Sequence, residues 1–351
     1  MGLFIECSGG DGNPPVAPIT IYSTANNDSY LSFERRFNSK VIINTPQNGG
    51  DPYSYPYGEH PTISGLFTNC YNFNQPVELP NNCPTMENLF TNCYNFNQPV
   101  ELPNWYWQDF YGVFHNCTNF NQPITIPNSC HYVSILGMFS GCTNFNQPIT
   151  IPNACGGYYD EGRNLHWAAS FDSIFYHCTN FNSPVIFDDG VWEQLTSCEF
   201  MFRDCVKFNH PVDLMNNPIN WSWLSTKNNF FVSARGMFYN CASLCQEIHF
   251  PNTVDDLRFT LYSCTNMRNV YIHNDNIRLF YNAYYAFGSF VGNRASTGAN
   301  YHRINIFCNN QQQLLGSNYY SVVGSPVTWE YDSVSGCYYN SYQNIYICPM
   351  K

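Results

Sequence analysis

Cysteine is the residue type here whose spacing most invites chemistry. Seventeen occur in 351 residues. Cys70, Cys93, Cys117, Cys142, Cys178, Cys205, Cys241 and Cys264 share one phase of a recurring pattern, and Cys83, Cys130 and Cys155 form a shorter second set. Regularly spaced thiols can ligate metal, cycle between thiol and disulfide, or act as nucleophiles. No Cys-x-x-Cys is present, and Cys241 and Cys245 are one residue too far apart for that redox motif. A position that recurs once per repeat is most simply a small buried side chain. Side chains in such a ladder point the same way, which works against bridging even where backbones are close. The pattern predicts buried, unbridged thiols and no metal.

The nine histidines are scattered singly. His115 and His177 stand just before ladder cysteines, but Asn69, Asn92, Gly141 and Asp204 fill the comparable slot elsewhere, so position explains them. There is no Gly-rich phosphate loop, no Gly-x-Ser-x-Gly and no His-Glu-x-x-His. Asp188-Asp189-Gly190 reads as a turn. No cofactor and no catalytic residue are expected, and a carboxylate pair acting on a glycan is the remote alternative.

Three connections carry aromatics suited to an interface. They are Trp105, Tyr106 and Trp107, then Tyr158 and Tyr159 through Trp167, then Trp221 and Trp223. Insertions in repeat proteins map to loops on one face, often the binding face, and aromatics anchor interfaces. These eight are the candidate ligand-binding residues. Their alternative role is extra core along an edge.

The elements that must position all of these are copies of one unit. Leu66-Phe67-Thr68-Asn69-Cys70-Tyr71-Asn72-Phe73-Asn74-Gln75-Pro76-Val77 recurs almost letter for letter from Leu89 to Val100. Further copies carry Phe114 and Phe120, Phe139 and Phe145, Phe175 and Phe181, Phe202 and Phe208, and then Phe238. Each leads into a short run such as Ile124-Thr125-Ile126, whose alternation reads as a strand with one face inward. The runs begin at Ile19, Val41, Val77, Val100, Ile124, Ile149, Val185, Val212, Ile248, Val270 and Ile304, mostly 22 to 27 residues apart, with four wider steps of 34 to 36. One copy cannot bury its apolar face alone, so stacking supplies the core. The period is that of leucine-rich repeats. The predicted fold is an α/β leucine-rich-repeat solenoid of about eleven repeats, with a short-stranded parallel sheet on the concave side. Short helices or turns around Leu89-Phe90 and Met138-Phe139 are expected behind it. Phe73, Phe96, Phe120, Phe145, Phe181 and Phe208 should form an inner spine. Asn74, Asn97, Asn121, Asn146, Asn182 and Asn209 should form an asparagine ladder whose amides satisfy backbone groups. Residues 1–15 read as an arm able to dock on a partner, 16–310 as the solenoid, and 311–351 as a C-terminal capping segment.

Composition narrows the function. A formal net charge of −11 argues against nucleic acid, which needs a basic face. Aromatics at 18% with charged residues at 11% describe a chain with a core rather than a disordered one. No run approaches the roughly 18 apolar residues of a membrane span. The first residues, Met1-Gly2-Leu3-Phe4-Ile5-Glu6-Cys7, have neither a basic n-region nor a long apolar h-region, so no secretory signal is expected.

The shape Leu/Met-Phe-x-x-Cys-x-x-Phe-Asn-Gln-Pro followed by a short strand resembles the BspA-like leucine-rich-repeat family over about residues 15 to 310. That resemblance implies a surface protein binding host tissue, other cells or matrix. An adhesin-like repeat without a signal leads to a first expectation of a virion-surface component of a tailed bacteriophage, made in the host cytoplasm. It would attach to other virion proteins through its arm and meet a host-surface glycan or protein, or serve as capsid or tail decoration, and could form a homo-oligomer. The alternative is a bacterial or protist cell-surface adhesin.

Overall fold

The computed structural model describes residues 4–6, 19–22, 41–44, 62–81, 83, 85–105, 107–128, 132–155, 157–159, 165–188, 191, 195–212, 232–250, 254–273, 304–309, 311, 329–340 and 345–350. The chain forms two compact units, Met1–Ser170 with Val185–Gln194, and Phe171–Pro184 with Leu195–Lys351.

In the first unit, β1 (Phe4–Glu6), β2 (Ile19–Tyr22), β3 (Val41–Asn44) and β4 (Val77–Glu78) form one sheet in that order. β2, β3 and β4 run parallel, with Ile19 beside Val41 and Val41 beside Val77. β1 turns back antiparallel on β2, so part of the expected arm pairs within the chain. β5 (Trp107–Asp109) pairs in parallel with β6 (Tyr132–Ser134). After β7 (Ile149–Ile151), β8 (Gly157–Tyr159) and β9 (Leu165–Ser170) form an antiparallel pair, and β10 (Val185–Phe187) returns parallel to β7. In β7, Ile149 and Ile151 are buried and Thr150 is exposed, the alternation of a strand with one apolar face.

In the second unit, β11 (Leu195–Ser197) pairs in parallel with β12 (Val232–Ser233). β13 (Ile248–Phe250) opens another sheet, and β14 (Val254–Asp256) joins β12. β15 (Asn269–Ile272) and β16 (Ile304–Cys308) follow β13 in parallel register. β17 (Glu330–Asp332), β18 (Cys337–Asn340) and β19 (Ile345–Pro349) close that sheet, with β19 parallel to β16 and the other two antiparallel.

The expected helical segments are turns instead. Helix is almost absent from the described residues: a 3-10 turn covers Asn153–Cys155, and Val191 and Gln311 are the other helical positions. The backbone explains the difference. From Ile63 to Asn69, every second N–H leaves the copy: those of Ile63, Gly65, Phe67 and Asn69 donate to the carbonyls of Thr85, Glu87, Leu89 and Thr91. The alternate amides of Leu66, Thr68 and Cys70 close four-residue turns within the copy. A helix would keep all of these bonds inside the segment. Here half of them join neighbouring copies, and Met86 to Asn92 repeat the pattern toward Asp109 to His115. Gly65 and Asn69 adopt positive φ to allow it.

The core is two interleaved columns of rings rather than one spine. In the first unit, Phe67, Phe90, Phe114 and Phe139 stack at 5.4, 5.8 and 5.7 Å between ring centres. Phe73, Phe96, Phe120 and Phe145 stack beside them at 5.7, 6.0 and 6.1 Å. Rings within a copy lie closer, as with Phe114 and Phe120 at 4.2 Å. The second unit repeats this with Phe175, Phe202 and Phe238 in one column and Phe181 and Phe208 in the other. Leu244 and Met267, both buried, follow in the place of the second ring.

Candidate functional site

The ladder thiols act as hydrogen-bond donors. The Sγ of Cys93, Cys117 and Cys142 donates to the carbonyls of Phe67, Phe90 and Phe114 at 3.0, 3.0 and 2.9 Å. In the second unit Cys205, Cys241 and Cys264 do the same to Phe175, Phe202 and Phe238. Cys70 and Cys178 are buried at the start of each series. Burial pushes ladder thiols and two further ones upward: Cys83 and Cys264 to about 12, and Cys93, Cys117, Cys142, Cys198, Cys205 and Cys241 in the same direction. A thiolate is the reactive form, so these groups are inert near neutral pH. Among the described residues thirteen cysteines remain thiols, and Cys245 alone of them is exposed. One pair departs from the expectation of unbridged thiols. Cys337 and Cys348 are joined, with Cα atoms 4.3 Å apart. They face each other across β18 and β19, where Tyr338 sits beside Ile347. Directly opposed antiparallel residues present side chains to the same face, a geometry the ladder positions do not have.

Three asparagine columns run along the copies. In the expected one, the Oδ1 of Asn74, Asn97 and Asn121 accepts the backbone N–H of Asn97, Asn121 and Asn146 at 2.8 to 2.9 Å. Asn182 and Asn209 accept from Asn209 and Cys245 in the same way. Gln98 and Gln122 reinforce the column through their side-chain amides. The second column, absent from the sequence reading, is Asn69, Asn92 and Asn116, all at positive φ, bonded amide to amide at 2.8 and 2.9 Å. Gly141 ends it, because a Cβ there would meet Asn116 Oδ1 at 2.0 Å. The third is Asn72, Asn95, Asn119 and Asn144. Identical letters at identical phase were the available signal for both.

Of the aromatic candidates, Trp105 is half-buried. The backbone of Trp107 lies in β5 beside Tyr132. β8 and β9 bring Tyr158 and Trp167 to directly opposed positions, with Tyr159 next to them. Tyr106, Trp221 and Trp223 lie outside the described residues. The exposed aromatic stack within the described residues of the first unit is instead Tyr71 on Tyr94, at 5.0 Å.

Two polar clusters were not foreseen. Glu87 and Asp109 are hydrogen-bonded neighbours in successive copies, and burial, that bond and the Asp109 charge push the Glu87 carboxyl up to about 7. Carboxyls that share a hydrogen bond are closer than the roughly 5 Å or more that glycoside hydrolysis requires. Within the cluster it is Glu87 whose carboxyl is raised into the neutral range. A raised carboxyl holds its proton in the folded state, so its stabilising contribution is present below the unfolded value near 4.3 and fades as pH rises through about 7. Glu87→Gln should therefore leave stability unchanged at acid pH. Above the folded value it should stabilise the first unit by up to about 1 kcal/mol, a figure discounted for partial exposure. Thermal unfolding of both proteins across this pH range checks it; parallel curves would refute the shared proton.

The other cluster lies in the second unit. Ser197 Oγ and Glu199 N both donate to Asp172 Oδ1, and Ser233 Oγ donates to Glu199 Oε1. Beside this row, the slot held by Thr68 and Thr91 in the first unit carries Tyr176, Arg203, Tyr239 and Tyr262. His249 Nδ1 and His273 Nε2 lie 3.1 Å apart in the same unit, and no group of three metal-ligating side chains forms among the described residues. No helix there is long and apolar enough to cross a membrane.

Residues 61–155, 113–249 and 162–284 each match a family described as "Mycoplasma protein of unknown function, DUF285". No curated protein matches the chain.

Proposed function

The chain belongs to the DUF285 family, which is related to the BspA-like surface repeat proteins, and from that premise we propose a non-enzymatic binding protein displayed at a cell surface on a leucine-rich-repeat solenoid. The observation that carries this reading is the use made of polar side chains. Copy after copy, amides and thiols bond to the neighbouring copy. Residues committed in this way build a stiff scaffold, and such repeat arrays offer extended surfaces for recognition. The inert thiols and the closely paired carboxyls support a binding role over catalysis. The phage-particle placement expected first draws no support from a family described from Mycoplasma, and the cell surface replaces it. The partner would be a glycan or protein of another cell.

Antibody labelling of intact cells from the native source, alongside permeabilised cells and any particles they release, tests the placement. Label on intact cells is the expected result. Label confined to permeabilised cells or to particles would overturn it.

A further inference from the structure

Arg203 and Arg235 are held in an unusual setting for a chain with 14 basic and 25 acidic residues. The Arg203 guanidinium lies over three rings, at 4.5 Å from the Tyr239 centre, 5.3 Å from Phe200 and 5.6 Å from Tyr176. Arg235 lies over Phe200 at 5.5 Å, so one ring clamps both cations. Tyr239 stacks in turn on Tyr262 at 4.8 Å. The Nε of each arginine is buried and makes no hydrogen bond within the described residues. Arg203 has Asp204 Oδ2 at 3.5 Å. Arg235 has no carboxylate within ion-pair distance among the described residues. The nearby carboxylates are engaged: Glu199 with Ser233, Asp204 with Asn240, and Asp256 with Arg258.

The clamp is held in a strained conformation. Phe200 has φ of +57°, at a positive-φ turn position that Gly65, Gly112, Gly137 and Gly236 hold in four other copies and Asn88, Ser173 and Phe259 in three more. Left-handed backbone is unfavourable for a bulky residue, and glycine would avoid that. Its ring lies flat on the next copy, where a Cβ on Gly236 would come within 2.5 Å of two ring carbons. A strained ring that fixes two guanidinium groups, one without a carboxylate partner among the described residues, is a prepared site.

We propose that Arg203 and Arg235, clamped by Phe200 and flanked by Tyr176, Tyr239 and Tyr262, bind an acidic sugar, a pyranose carrying a carboxylate or a sulfate. The planar guanidinium fork matches both groups in bidentate fashion. Its rotamer freedom is already lost in the stack, so less is lost on binding. The half-buried tyrosine faces beside it fit the apolar face of a sugar ring, and their hydroxyls fit its polar edge. The assignment deepens the adhesive reading, on which it rests.

Calorimetric titration with hyaluronan oligosaccharide, chondroitin sulfate oligosaccharide and the neutral chitin oligosaccharide tests it. Binding of one or both acidic sugars over the neutral one is expected: binding of both points to the carboxylate they share, and binding of chondroitin sulfate alone points to its sulfate. Arg203→Gln and Arg235→Gln keep the stem on the rings and should each weaken binding at least about tenfold, the effect of losing one charge-assisted hydrogen bond. Arg235→Lys should weaken it too, because it keeps the charge and loses the fork. Phe200→Gly should weaken binding with melting temperature unchanged or raised, whereas a purely structural ring would lower it. Equal binding of acidic and neutral sugars, no binding of any, or arginine variants that bind like the parent protein would overturn the assignment. Attachment to cells separates the two readings. A double arginine variant that attaches normally sinks this site alone, and a parent protein that does not attach sinks the adhesive reading.

Discussion

Phe114→Ala is expected to destabilise the first unit by about 4 kcal/mol, the middle of the range for a truncated core aromatic. The Phe114 ring is fully buried and stacks on four others: Phe120 at 4.2 Å, Phe139 at 5.7 Å, Phe90 at 5.8 Å and Phe96 at 6.4 Å. Its loss leaves a cavity between rings that are themselves held by flanking copies, so the site can relax only a little. Because stacked copies couple to their nearest neighbours, the break also interrupts cooperativity, and the denaturant slope should fall with the midpoint. Phe114→Leu, which fills most of the volume, should lose about 1–1.5 kcal/mol. Urea unfolding of the three proteins is the measurement. A loss below about 1.5 kcal/mol for the alanine variant would mean that the columns close over the gap and are not a continuous stack.

Raising the pH should unfold both units cooperatively, with midpoints between about pH 9.5 and 11. The argument runs through the thiols. Cys83 and Cys264 are pushed up to about 12, and Cys93, Cys117, Cys142, Cys198, Cys205 and Cys241 are raised as well, all by burial. The folded protein keeps these protons while the unfolded chain releases them from about pH 8.5. A raised thiol contributes its full stability below that unfolded value and loses it as pH climbs toward the folded one. Each contributes a slope of about 1.4 kcal/mol per pH unit, so four in one unit give about 5.6 kcal/mol per pH unit. A domain stable by 5–15 kcal/mol has little left after one or two such units. Thiolate absorbance and circular dichroism should change together. Gradual thiolate formation from about pH 8.5 with unchanged dichroism would show that the ladder is open to solvent.

The repeat, its phase and the strand runs were legible because stacked copies must place the same residue type on the same contact. Phe73 and Asn74 could be read in this way from sequence alone. The turn conformation could not. Leu-Phe-x-x-Cys is compatible with a helical turn, and what excludes it is the export of alternate amides to the next copy, a bond with no signature in one copy. Val100, Ile124 and Val212 begin runs read as strands, yet they fall outside the assigned strands, and β5, β6, β11 and β12 lie in segments not marked as strands at all. Those segments vary in sequence from copy to copy, so no alternation repeats there. The Arg203 cluster was hidden for the opposite reason. Its residues depart from the template, and a reading that looks for recurrence passes over departures.

The sameness of the bonds between copies bears on how the gene can change. Leu66 to Val77 and Leu89 to Val100 are almost the same peptide, offset by 23 residues. An insertion of one whole 23-residue copy keeps the phase of every column. The inserted copy would find its ring, thiol and amide partners already in place on both sides. The array can therefore lengthen by whole copies while the surface residues of the other copies stay as they are.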